Sequence, residues 1–215
     1  MADVGLEFRR ASAVLRQRTR MLIDSEYQRE VVVAGERIVL RCIRASDKEA
    51  LNAFFQGLHP ETRYKRFLAY MGELSQPMLR YLTELDLNEH LAIVAIGETG
   101  ALVGVTRMVR FSTNRTRAEM AIVVGDAHQQ RGLGAILVDM LAEASRERGV
   151  ETFVAHALSD NVAIRRSLAR LGPLVSNTPG ILQVALGTPA RVALPWTPSE
   201  VHASPPPSRQ PTAAH

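Results

Sequence analysis

HQQRGLGAIL, residues 128–137, is the stretch most suggestive of chemistry, because two glycines and an arginine directly precede an amphipathic helix. Without a Cβ, Gly132 and Gly134 leave their backbone N–H groups open to a ligand, and the helix dipole adds partial positive charge at the same place. Such a turn binds anions, phosphates above all. A tight strand-to-helix connection without a ligand has the same local pattern, so the surrounding sequence must decide between the two.

Two common phosphate motifs do not fit this stretch. No Lys-Ser or Lys-Thr pair follows the glycines, as a P-loop requires. The glycine spacing also differs from the G-x-G-x-x-G of a dinucleotide site at a first strand. An anion bound here would therefore belong to another class of phosphate ligand.

Glu119 is the second residue that suggests chemistry. It interrupts the largely apolar run AEMAIVV (118–124) immediately upstream of the glycine turn. It is therefore a candidate general base, and burial among apolar neighbours would raise its pKa and suit that role. An ordinary carboxylate facing the edge at the start of a strand is the alternative interpretation.

The composition is typical of a soluble globular protein with one domain. The chain has 215 residues, 46% of them hydrophobic and 22% charged, and no apolar run of membrane-spanning length. Cys42 is the only cysteine, so no internal disulfide can form, and the six histidines lack metal-ligand spacing. With no secretory signal visible, we expect a cytoplasmic protein without a structural metal.

The charge balance is basic, with a net charge of +4 and a pI near 9.7. Nucleic acid is one possible partner of a basic protein. However, the arginines are scattered, and aromatic residues make up only 5% of the chain, without the interleaving that a base-stacking platform needs. The sequence therefore favours a ligand with several phosphates over nucleic acid.

Three segments are expected along the chain: a charged N-terminal extension (1–30), a folded domain (31–194) and a Pro-rich disordered tail (195–215). The domain begins with a strand at 36–43. A helix follows, for which Ser46 and Glu49 have the spacing of a capping box. Two more helices are predicted, through ETRYKRFL (61–68) and after Ser75.

From residue 91 the periodicity changes to that of strands. HLAIVAI, ALVGVTRMVR and AEMAIVV are joined by short turns and predict an antiparallel meander. The glycine turn and its helix then lead to TFVAHAL (152–158), a strand expected to run parallel to AEMAIVV. Asp160 or Asn161 can cap the next helix, and ILQVALG (181–187) predicts a final strand. The expected fold class is α/β, a mixed central sheet with flanking helices.

AEMAIVVGDAHQQRGLG resembles the acetyl-CoA-binding motif of the GNAT acetyltransferase superfamily, in which Arg or Gln, two residues, Gly, one residue, and Gly or Ala follow one another. Gln129, Gly132 and Gly134 occupy these places. The order of elements over roughly residues 31–190 is also similar. ERIVLRCIRASD, HPETRYKRF and ELDLNEHLAIVAI are similar to bacterial protein lysine acetyltransferases within that superfamily.

This resemblance implies acetyl-CoA as co-substrate, and no metal. Backbone N–H groups would hold the CoA pyrophosphate, the strand before the turn would bind the pantetheine arm as an added strand, and an amide side chain would bind the arm as well. The implied residues are Val123, Val124, Gln129, Gln130, Arg131, Gly132, Leu133, Gly134, Ala135 and Asn161. For Arg131 a solvated surface position, and for Asn161 a purely capping role, remain open alternatives.

The implied reaction is N-acetylation of a primary amine, with a protein lysine as the favoured acceptor and Glu119 as general base. The oxyanion would be stabilised by a backbone N–H of Val123 or Val124. Many superfamily members place a tyrosine, the general acid, seven residues after the asparagine; here that residue is Leu168. A small-molecule amine acetyltransferase and a non-catalytic acyl-CoA sensor therefore remain alternatives.

Overall fold

The computed structural model describes residues 27–158, 161–178 and 180–186. The expected extension up to residue 26 and the Pro-rich tail (195–215) lie outside the described residues. Within this range the chain forms one sheet of eight strands flanked by five helices.

The strands are β1 (Arg29–Val33), β2 (Glu36–Cys42), β3 (His90–Ile96), β4 (Leu102–Arg110), β5 (Arg117–Val124), β6 (Thr152–His156), β7 (Leu174–Thr178) and β8 (Ile181–Ala185). Their order in the sheet is β1-β2-β3-β4-β5-β6-β8-β7. Neighbouring strands are antiparallel except for β5 and β6, which are parallel. The predicted meander and the predicted parallel strand are confirmed.

The helices are α1 (Lys48–Gly57), α2 (Pro60–Phe67), α3 (Gln76–Thr83), α4 (Leu133–Glu147) and α5 (Val162–Ala169). Helix α4 packs on one face of the sheet, where a Cβ added to Gly104 would lie 3.0 Å from Leu137 Cδ1. The next residue, Val105, meets Leu51 and Phe55 of α1. Because successive strand residues point to opposite faces, α1–α3 cover the other face.

The core lies between the sheet and these two layers. The α4 helix contributes one apolar stripe, as its 3.6-residue periodicity predicts, and ends before Gly149, whose φ of 76° suits a helix C-terminus. Its fully buried side chains pack with those of the central strands. The large, fully buried side chains of this core come from both the strands and α4: Ile38, Leu40, Leu91, Ile93, Met108, Met120, Leu133, Leu137, Leu141 and Phe153.

The start of α1 differs from the prediction. Ser46 does not cap the helix; it lies inside a short 3-10 turn, Ala45–Asp47. The Asp47 carboxylate organises this turn instead, accepting from Arg44 N at 2.8 Å and from both terminal nitrogens of Arg41 at 2.7 and 2.8 Å. Burial alone would raise the pKa of Asp47, but these hydrogen bonds outweigh it and lower that pKa. The buried ion pair fixes the turn, so the helix begins one residue later.

Two edge strands were not predicted. β1 pairs with β2 as a hairpin around Ala34 and Gly35, and β7 pairs with β8 in antiparallel orientation. Each is five residues long and lies at one edge of the sheet. Their sequences alternate only weakly between apolar and polar residues, so the strand pattern is hard to recognise.

Candidate active site

A gap opens between β5 and β6 in the middle of the sheet. β5 pairs with β4 from Ala118 to Val124, but with β6 only at three positions, the last of which joins Glu119 to Val154. After Val154, β6 remains paired with β8 on its other side, up to His156. On the β6 side, therefore, no described strand pairs with β5 from residue 120 to 124. The backbone groups of β5 that point to this side could therefore bind an extended ligand, except Val124 O, which accepts from the Gln129 side chain.

The glycine turn closes one end of this gap. Gly132 has φ 92° and Gln130 φ 58°, so the chain enters α4 through two left-handed residues. Within the described residues, the N–H groups of Gly132, Leu133 and Gly134 donate to no protein acceptor, whereas Ala135 N donates to Gly132 O at 3.1 Å. Unpaired donors at a helix start are an anion-binding arrangement.

Gly134, in the first turn of α4, faces Ile122 and Val124 of β5. A Cβ at this position would lie 3.7 Å from Val124 Cγ2 and 3.8 Å from Ile122 Cδ1, which is ordinary contact distance. Val123 and Val124 are both half-buried at the end of β5. The structure thus brings the predicted strand residues and the predicted turn residues to the same end of the gap.

Gln129 has a structural role in addition to its place in the motif. Its side-chain nitrogen donates to Val124 O at 3.0 Å and to Asp126 Oδ1 at 3.3 Å. Asp126 in turn accepts from His59 N at 2.8 Å and from Thr62 Oγ1 at 2.5 Å. The turn is therefore tied to the start of α2. Arg131 is exposed, and no described side chain pairs with it.

Glu119 lies at the other end of the gap. The apolar neighbours of Glu119 in the sequence do not bury it; its side chain is exposed and lines a cavity of about 240 Å³. This cavity, here called the acceptor cavity, is lined by Arg66, Phe67, Met78, Tyr81, Leu82, Arg107, Val109, Glu119, Met120 and Ala121. It lies on the face covered by α2 and α3.

The acceptor cavity contains two guanidinium groups that sequence reasoning missed. Arg107 is only 6% exposed; its NH1 lies 3.2 Å from His90 Nε2 and its NH2 donates to Leu82 O at 3.4 Å. Because arginine only donates, His90 accepts at Nε2 and carries its proton on Nδ1. The signal was available: Arg107 interrupts the apolar strand β4 as Glu119 interrupts β5.

Burial and mutual repulsion weaken the charges in this cavity. Burial, together with the neighbouring Arg66, lowers the pKa of Arg107 to about 9. Burial also lowers the pKa of Arg66, and the Glu119 carboxylate opposes that shift. Burial and the Arg107 charge lower the pKa of His90 to about 4, so His90 is neutral at pH 7.

Asn161 caps α5, since its Oδ1 accepts from Ile164 N at 3.3 Å. This confirms one of the two capping residues proposed from the sequence; Asp160 lies outside the described residues. Leu168 is fully buried in the core. Because this residue is a buried leucine, it supplies no side-chain acid to the gap.

Residues 49–172 match the model of the acetyltransferase (GNAT) family. The chain belongs to this family. It is therefore a member of a family of acyl-CoA-dependent acetyltransferases, and the predicted fold class is confirmed.

Individual relatives are similar over most of the described domain. The acetyltransferase Pat of Mycolicibacterium smegmatis is 33% identical over 170 residues, which are 78% of this chain and 50% of Pat. The GNAT domain of S. lividans PAT superposes with a TM-score of 0.68 at 26% identity, over 74% of this chain and 96% of that domain. This chain thus spans about half the length of the Mycolicibacterium relative.

A more distant structure shares the fold. The putative acetyltransferase yncA from Salmonella typhimurium, solved with its cofactor acetyl-CoA, has a TM-score of 0.56 at 22% identity. The alignment covers 71% of this chain and 96% of yncA. Among the residues that the structure describes, no group of His, Cys, Asp and Glu could hold a metal ion, and no helix is long and apolar enough to cross a membrane.

Proposed function

We propose that this GNAT chain transfers an acetyl group from acetyl-CoA to the ε-amine of a protein lysine. One observation carries the proposal. The segment of β5 that has no strand partner on the β6 side leads from Glu119, at the acceptor cavity, to the N–H groups without protein acceptors at the start of α4. A matching ligand has an anionic end for the N–H groups of α4, an extended arm with amides for β5, and a reactive end near Glu119. Acetyl-CoA has this build.

In this proposal the N–H groups of Gly132, Leu133 and Gly134, with those of neighbouring turn residues, hold the CoA pyrophosphate. Arg131 adds a positive charge from the exposed side of the turn. Val123 and Val124 offer backbone groups to the pantetheine amides, and one of their N–H groups stabilises the negative charge that forms on the acetyl oxygen when the amine attacks the acetyl carbon.

Glu119 removes the proton from the acceptor amine, directly or through a water. A lysine with a pKa near 10.4 is almost wholly protonated at neutral pH, so its attack on the thioester needs such a base. The exposure of Glu119 suits this role because the acceptor must reach it from solvent. The CoA thiolate then leaves without a side-chain acid from residue 168, which is a buried leucine.

The openness of the acceptor cavity favours a lysine on a protein over a small amine. Tyr81 at its wall is 58% exposed, so the cavity meets solvent beside a large aromatic surface rather than closing around a small molecule. The similarity to the acetyltransferase Pat supports acetyl transfer as the reaction. We also place the protein in the cytoplasm, where its single cysteine stays reduced.

Calorimetry with acetyl-CoA tests the cofactor site. Gly132→Glu adds a carboxylate where the pyrophosphate is proposed to bind, and Gly132→Ala is the matched control, since it has the same backbone strain without the charge. We expect the glutamate variant to lose at least tenfold more affinity than the alanine variant. Equal affinities for acetyl-CoA would contradict the pyrophosphate site.

Thiol release from acetyl-CoA, measured with lysine peptides and with small amines, tests the acceptor. Faster release with peptides supports the lysine assignment, whereas faster release with small amines favours the small-molecule alternative. The buried Leu168 makes a non-catalytic sensor the remaining candidate. Acetyl-CoA binding without thiol release from any acceptor would favour it.

A further inference from the structure

Arg66 and Arg107 form a pair of guanidinium groups without a carboxylate partner. Arg107 bonds only to neutral groups, His90 Nε2 and Leu82 O. Arg66 lies half-buried above the Phe67 ring, 4.8 Å from its centroid, and among the described residues it has no hydrogen bond or ion pair. Both side chains line the acceptor cavity.

Two other partly buried arginines have carboxylate partners, whereas Arg63 and Arg110 bond to backbone carbonyls only. Arg41, with a side chain 14% exposed, binds Asp47 at 2.7 Å. Arg29, with a side chain 21% exposed, binds Glu143 at 2.8 Å. Buried charges in proteins are normally paired in this way, because an unpaired charge loses its hydration without compensation. Arg107 is the one arginine among the described residues that is buried, and it has no carboxylate partner there.

The charges that face the cavity sum to a positive excess. Arg66 and Arg107 contribute two positive charges, Glu119 contributes one negative charge, and His90 is neutral. Glu119 attracts Arg66 across the cavity but forms no ion pair with it. One anionic group entering the cavity would balance this excess, and a planar guanidinium binds a carboxylate through two parallel hydrogen bonds.

We propose that Arg66 and Arg107 bind a carboxylate of the acceptor, so that the enzyme prefers lysines with an acidic residue next to them in the peptide. The inference rests on the proposed function for the identity of the acceptor. The binding chemistry itself needs only a carboxylate near the reacting amine, and the α-carboxylate of a free amino acid has the same chemistry.

The test measures affinity and turnover separately. Labelled lysine peptides with Glu, or with Gln, at the positions flanking the lysine are titrated by fluorescence anisotropy in the presence of CoA. We expect the Glu peptides to bind about tenfold more tightly, as for one charged hydrogen-bonding pair. Arg66→Gln should reduce the difference to less than about twofold. Arg80→Gln, an exposed arginine of α3, is the matched control and should retain it.

Arg107→Lys is the second variant, checked for folding by its thermal melt, since Arg107 is buried. Equal binding of Glu and Gln peptides by the wild type, or a preference that survives in both Arg66→Gln and Arg107→Lys, would overturn the inference.

Turnover with phenylalanine and with phenethylamine distinguishes the sources of the carboxylate. A preference for phenylalanine that depends on Arg66 would support the arginine assignment and contradict the protein-lysine function. Arginine-dependent binding of Glu peptides without turnover of any acceptor would support the inference and contradict the proposed function alone.

Discussion

Glu119 and Val154 form the last pair of the parallel β5–β6 ladder, and the two strands separate directly after it. The proposed base thus marks the point where the proposed binding gap begins. If the pantetheine arm fills this gap, acetyl-CoA should slow amide hydrogen exchange in residues 120–124. Hydrogen-exchange mass spectrometry with and without acetyl-CoA measures this.

The matched control segment is β2 (Glu36–Cys42), which pairs on both sides and should not change. Protection that appears in β2 as strongly as in residues 120–124 would indicate general stabilisation rather than binding in the gap.

Substitution by alanine should have different effects on the free energy of unfolding at the two glycines of the turn. Gly132 has φ 92°, so Gly132→Ala should lower the free energy of unfolding by about 1 kcal/mol through backbone strain. Gly134 lies in the first turn of α4 with room for a methyl group, so Gly134→Ala should keep or raise it, by up to about 1 kcal/mol. Urea unfolding of the two variants provides the comparison, and a destabilised Gly134→Ala would contradict the contact distances.

Asn161 offers a way to separate capping from CoA binding. Asn161→Asp keeps an oxygen that can accept from Ile164 N, and so should preserve the thermal midpoint, but it loses the amide donor. We expect this variant to bind acetyl-CoA more weakly while Asn161→Ala loses both affinity and about 1 kcal/mol of stability. Unchanged acetyl-CoA affinity in Asn161→Asp would leave Asn161 as a cap only.

His90 should make the protein sensitive to mild acid. Its pKa is about 4 in the folded state, against 6.5 as its ordinary value, so the unfolded chain binds the proton first as the pH falls. Stability is therefore lost between about pH 6.5 and pH 4, on the order of 3 kcal/mol in total. His90→Gln can still accept from Arg107 but cannot titrate.

Denaturant unfolding of wild type and His90→Gln at pH 7, 5.5 and 4 tests this. The wild type should lose more stability than the variant over this range, and parallel losses in both proteins would contradict the assigned pKa.

The sequence predicted those parts of the fold that local patterns encode. The 3.6-residue stripe of α4 and the turns of the meander both depend on residues close together in the chain. Strand β1 was missed because its partner β2, not its own short sequence REVVV, places it in the sheet. Ser46 failed as a cap because the competing carboxylate of Asp47 is fixed by Arg41, six residues upstream.

The site was predictable only in part for the same reason. The turn residues and Glu119 lie within sixteen residues of each other on one strand-turn-helix unit, so their proximity follows from local structure. The acceptor cavity joins Arg66 on α2, His90 on β3 and Arg107 on β4, which only the tertiary packing brings together. The exposure of Glu119 likewise depends on how the helices α2 and α3 pack over this face of the sheet.

The role of Glu119 is the central claim, and one comparison tests it most directly: thiol release from acetyl-CoA with a lysine peptide, in wild type and Glu119→Gln. Acetyl-CoA affinity is measured by calorimetry in the same samples, and Glu49→Gln, an exposed glutamate on α1, is the control. We expect Glu119→Gln to lower kcat by about 10²- to 10⁴-fold with acetyl-CoA affinity unchanged. Wild-type kcat in Glu119→Gln would contradict the account.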